Sequence, residues 1–146
     1  MSKSGGRNAP RSARERLADK KEPKVVELAK PFGGMQPGQM MFVATPAIVA
    51  EYLRQIPEGE VRTMPQMRAE LAAANDCDGT CPLSTAIFLR VASEAALEDL
   101  GEGRDSSRVI PFWRVVEPDS KVAQRLSVEP DWIAGKRAAE LSARGG

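Results

Sequence analysis

Three times between residues 45 and 82 the chain sets a proline just inside a helix start: Thr45-Pro46, Thr63-Met64-Pro65 and Cys81-Pro82. Proline is tolerated in the first helical turn and pre-sets its φ, while a hydroxyl before it satisfies an orphan N–H. This punctuation commits the middle of the chain to consecutive helices. In the first, Ile48, Val49, Tyr52, Leu53 and Ile56 recur at helical spacing, and Pro57-Glu58-Gly59-Glu60 ends it in a turn. In the second, Thr63 and Gln66 form a capping-box signature, and Met64, Met67, Leu71 and Ala72 point inward along a helix reaching about Asn75. The cluster from Asn75 to Thr80 is a turn. The third helix runs from about Pro82 to Leu100, with Gly101 as its stop and Ile87, Val91 and Ala95 as its expected buried stripe. Val109 to Val116 reads as a buried extended segment broken by Pro111. A polar linker through Gln124 leads to a last helix from about Pro130 to Ala143, anchored by Trp132, Ile133, Ala138 and Leu141. The order predicts a mainly α domain, a winged helix-turn-helix whose wing is the 109–116 segment.

Composition narrows the function classes. The 146 residues include no His, which removes the commonest general base and every Ser-His or Cys-His arrangement. Two cysteines, Cys77 and Cys81, make neither a disulfide framework nor a four-ligand zinc site, so no metal and no cofactor are expected. No apolar run is long enough to span a bilayer and no secretory leader is evident, so the expectation is a cytoplasmic protein without a membrane partner. Charge is unevenly spread: residues 1 to 30 hold nine Lys/Arg against four acids, whereas the rest holds twelve against sixteen. Residues 1–38 are therefore expected to be a disordered basic leader with a turn-rich linker, carrying at most a frayed helix near Ser12 to Lys21. Residues 39–146 form the folded domain. Gly33-Gly34 lacks the Lys-Ser/Thr ending of a phosphate loop and reads as a turn.

Two stretches carry a likeness. Ala50 to Leu53 with Ile56-Pro57-Glu58-Gly59-Glu60-Val61-Arg62-Thr63 is one, and Val109-Ile110-Pro111-Phe112-Trp113-Arg114-Val115-Val116 is the other. In that order and spacing they resemble the opening turn and active-site segment of the C-terminal domain of the O6-alkylguanine-DNA alkyltransferases and their non-enzymatic alkyltransferase-like relatives. The likeness spans about Met40 to Ser142, and the full-length enzymes' separate N-terminal domain is expected to have no counterpart. It implies a non-catalytic, DNA-associated repair scaffold, a sensor of alkylated or damaged bases, with a helix set against duplex DNA. It also implies lost chemistry, because Phe112 stands where the family has its acceptor Cys and Trp113 where it has the activating His. A phenyl ring has no lone pair with which to attack an alkyl carbon, and an indole N–H cannot take a proton from a thiol. Met64 stands where the family has a Tyr, Thr85 where it has the Arg that fills the gap of a flipped base, and Ile87 and Phe88 where it has small residues. The chain resembles most a divergent branch marked by Cys81-Pro82-Leu83-Ser84-Thr85 and Pro111-Phe112-Trp113-Arg114-Val115.

The candidate residues follow. Pro111, Phe112, Trp113 and Arg114 mark the former active site; the two aromatics either stack a base or fill the core, and Arg114 is expected in a structural ion pair. Thr63, Met64, Ser84, Thr85, Phe88 and Arg90 are candidate DNA contacts, although Glu94, Glu98 and Asp99 on the same helix repel a polyanion. No catalytic residue is assigned. Cys81, at a helix N-terminus, is the one conceivable relocated nucleophile for a methyltransferase and reads rather as a capping or packing residue. The expected partners are double-stranded DNA, bound weakly and in a salt-dependent way, or a protein partner of a domain that has left DNA behind; the sequence is silent on oligomeric state.

Overall fold

A computed structural model describes residues 11–145. Its helices are α1 (Ala13–Leu17), α2 (Pro46–Gln55), α3 (Met64–Ala74), α4 (Pro82–Gly101), α5 (Lys121–Gln124) and α6 (Pro130–Gly145). Its strands are β1 (Lys24–Glu27), β2 (Met40–Val43) and β3 (Gly79–Thr80), and 3-10 turns cover Ser106–Arg108 and Phe112–Arg114. The fold is mainly α, as the sequence predicts.

The caps act as read. Thr45 Oγ1 accepts from the Ile48 N–H at 3.2 Å, and Thr63 with Gln66 closes a reciprocal capping box. Each satisfies donors that a helix start leaves orphaned. The turn after α2 places Gly59 at φ +86°, where a Cβ would sit 2.7 Å from the Arg144 stem, so the close approach of α6 requires glycine there. The core gathers Val49 and Leu53 of α2, Met67 and Leu71 of α3, Leu89, Ala92 and Ala96 of α4, Ile133 of α6 and the whole apolar run from Val109 to Val116.

Several expectations need correction. Of the leader, residues 1–10 lie outside the described residues, but Ala13 to Gly38 is not a loose tail. Ala13 and Leu17 pack against the main core, and β1 pairs antiparallel with β2 from Lys24↔Val43 to Glu27↔Met40. Met35 is buried in a small second core with Met41 and Cys81. The domain boundary at 38/39 therefore falls inside a hairpin. β2 in turn pairs in parallel with β3, in the order β1-β2-β3.

The extended wing expected at 109–116 is a turn. Pro111 adopts φ −82°, ψ 67° and the Phe112 N–H donates to the Ile110 carbonyl at 2.9 Å, an inverse γ-turn that bends the chain before a strand can form. Val115 and Val116 then donate back to the Phe112 carbonyl. On α4 the buried stripe runs through Thr85, Leu89, Ala92 and Ala96 with Val91 and Ala95, whereas Ile87 is exposed. On α6, Ile133 is buried and Trp132 half-buried, but Ala138 and Leu141 face out.

Candidate functional site

The 109–116 segment is core. Phe112 and Trp113 are 0% and 2% exposed, and Pro111 is buried beside them. Phe112 stacks on Trp132 at 5.8 Å between centroids and meets Trp113 edge-on at 5.5 Å, while Trp113 and Trp132 cross at 79°. Offset and edge-to-face pairs of this kind add to the area they bury. Lys136 Nζ lies 4.8 Å from the Trp113 ring centroid and donates to Ser106 Oγ.

Arg114 is the expected structural cation. Its Nε and Nη2 fork onto the two carboxylate oxygens of Glu140 at 3.0 and 2.8 Å, and its Nη1 donates to the Ile56 carbonyl at 2.7 Å. It thereby ties the segment to the end of α2 and to α6. Burial pushes the Glu140 carboxyl up, but the Arg114 fork and the Gly59 N–H outweigh it and hold the group below its ordinary value. Cys81 is buried and its Sγ accepts from the Ser84 N–H at 3.5 Å, which makes it a cap on α4. Among the described residues it has no hydrogen bond to a base.

The six candidate DNA contacts divide. Thr85 is fully buried and donates to the Cys81 carbonyl, Phe88 packs against the core, and the Ser84 hydroxyl oxygen is buried without a partner. None of these three can reach a phosphate or a base edge. Thr63 is exposed but its oxygen is used as a cap, and Met64 packs on the core; neither lines a cavity beside α4. Arg90 alone stands free on the exposed side of α4.

What surrounds Arg90 was not legible in the candidate set. Leu83 and Ile87, two turns and one turn before it, are 64% and 45% exposed. On one side a cavity of about 330 Å³ lies between α4 and α5, with Arg90, Lys121 and Arg125 around Leu83, Ala86, Ile87 and Val122. On the other a cavity of about 400 Å³ separates α4 from α1, with Arg11 and Arg16 joining Arg90. The two acids expected to repel an anion there are occupied. Glu94 accepts from the Ser127 N–H and hydroxyl, and Glu98 accepts from the Ala13 and Arg14 N–H groups at 2.7 and 3.1 Å. Asp99 faces Arg14 and Arg104. The usable signal in the sequence was the Leu83, Ile87, Arg90 spacing together with Lys121 and Arg125 one helical turn apart. Among the described residues no helix is long and apolar enough to cross a membrane. No family model, no curated protein and no solved structure matches the chain.

Proposed function

We propose that the chain is a non-catalytic, alkyltransferase-like domain that binds double-stranded DNA by the exposed face of α4. The observation that carries this reading is the set of Arg16, Arg90, Lys121 and Arg125 around the first half of that helix, with Arg11 beside them paired to Asp19 and Glu98 paired to Arg14. Cations placed so release counterions from phosphates and give sequence-independent affinity. Leu83 and Ile87 at the centre of this set suit apolar contact in a minor groove, where such side chains press against base steps. The filled Phe112–Trp113 cluster narrows the proposal: binding goes to the duplex backbone, and sensing of an extruded alkylated base, which needs an open pocket, is not part of it.

The exposure of Leu83 and Ile87 beside an apolar cavity favours a second reading, an interface for a protein partner. Fluorescence anisotropy on a labelled duplex, with and without O6-methylguanine, tests both. DNA binding predicts affinity that falls with salt at a log–log slope of about −3 to −5 and no preference for the lesion. Arg90→Glu with Arg125→Glu should weaken binding at least about tenfold at low salt, since each removes a phosphate contact and adds repulsion. Absence of salt-dependent binding by the full chain defeats the DNA reading and leaves the protein interface.

A further inference from the structure

On α6, away from the face just described, a cation stands in low-dielectric surroundings without its counterion. Arg137 is half-buried; its Nε donates to the Trp113 carbonyl at 2.7 Å, and its Nη2 is buried with no acceptor. No carboxylate among the described residues pairs with it. Burial holds its guanidinium below its ordinary value, with Glu117 and Asp119 pulling weakly the other way. Charges in such places are ordinarily paired, and this one is not paired within the fold.

Arg137 lines a cavity of about 260 Å³ with apolar walls at Val61, Ala138 and Leu141, Gly59 at its edge, and Glu60 and Glu140 completing the lining. Val61 and Leu141 are 51% and 65% exposed, so two of the chain's exposed large aliphatic side chains meet at one opening. Two carboxylates also line it, and both are already served. Glu140 holds the Arg114 fork, and Glu60 faces Arg62 at 2.9 Å and Arg144 at 3.2 Å. Four arginines therefore surround two acids, which leaves the neighbourhood cationic. An apolar pocket with one convergent charged group is the usual form of a small-ligand site.

We propose that this cavity binds an aliphatic carboxylate, its chain against Val61, Ala138 and Leu141 and its charge on Arg137. The chemistry is common to a free short-chain acid and to the C-terminal carboxylate of a protein ending in an aliphatic residue. The site shares no lining residue with the two cavities beside α4, so it stands or falls independently of DNA binding.

Hexanoate, hexanol and hexylamine titrated into the full chain, followed by amide chemical shifts, test it. Hexanoate should move the Gly59, Val61 and Ala138 amides and bind at least tenfold more tightly than hexanol, with hexylamine weakest. Leu141→Glu, at an exposed position, should abolish binding with an unchanged Tm, and Arg137→Gln should remove the preference for hexanoate over hexanol. A dipeptide ending in Leu, compared with its amide, distinguishes the sources: tighter binding than hexanoate, lost on amidation, identifies a protein C-terminus, and weaker binding identifies a free acid. Equal responses to hexanoate and hexanol, or shifts that avoid these amides, would overturn the assignment.

Discussion

Glu140 is the residue on which the 109–116 segment hangs. Its carboxylate takes both arms of the Arg114 fork and the Gly59 N–H, so three stretches of chain converge on one nearly buried group. Breaking a buried pair by removing one member leaves an uncompensated charge, and Glu140→Gln is expected to cost about 3–5 kcal/mol in urea unfolding. The pH dependence has a definite sign. Because the folded-state value of Glu140 lies below the unfolded 4.5, its contribution is fully present above that value and is lost as pH falls through the lower one. Glu140→Gln should therefore flatten the acid limb of the stability profile below pH 4.5 relative to the parent chain. At this scale the sequence left Phe112 and Trp113 open between stacking a base and filling the core, and burial decides for the core; the Arg114 ion pair was expected from the family resemblance and is present. That Thr85 would be fully buried was not legible, because a small hydroxyl at a helix start satisfies itself on the Cys81 carbonyl as readily as on solvent or a phosphate.

Helices were legible as elements because their starts are written in caps and prolines; their faces were less so. α4 is apolar over most of its circumference, rich in alanine, and buried along Thr85, Leu89, Ala92 and Ala96 as well as Val91 and Ala95. Periodicity cannot phase a helix that is central to the core, so Val91 and Ala95 were placed rightly, Ile87 was not, and Thr85, Leu89, Ala92 and Ala96 were missed. The hairpin was hidden for a different reason: all four residues of β1 are exposed, so the strand shows no burial alternation, and its pairing to β2 rests on backbone bonds. α1 was expected only as a frayed helix near Ser12 to Lys21. Its place comes from a remote acid, since Glu98 caps its first N–H groups while Arg14 reaches Glu98, Asp99 and Glu102. Without Glu98 the N-terminal donors of α1 lose their acceptor. Glu98→Ala should raise hydrogen exchange in residues 12–18 at least about tenfold while the α4 core amides stay protected, which native-state exchange would read directly. High salt should act in the same direction on the exposed Arg14 contacts.

For the whole molecule, the boundary drawn at residue 38 divides what the structure joins. Removal of residues through 23 takes away α1 and leaves the sheet; removal through 38 also takes β1 and Met35, the residue that covers Met41 and Cys81. The longer deletion is expected to cost about 2–4 kcal/mol more than the shorter, in the range for losing a buried Met side chain and its pairing strand, and a pair of thermal melts would decide it. If both truncations melt together, the hairpin contributes nothing. The mainly α layout followed from the order of caps and turns, whereas the basic face of α4 did not, because Arg11, Arg16, Lys121 and Arg125 are remote from Arg90 in sequence and meet only through folding.

Both tryptophans of the chain belong to one cluster, with ring centres 5.7 Å apart and Phe112 packed against each. Tryptophan emission from this protein therefore has a single origin, the joint where α6 closes over the 109–116 turn. Quenching or a red shift will report the opening of that joint and will be blind to the sheet and to α1, so an optical melt and a backbone probe of β1 can be read as two separate clocks of unfolding.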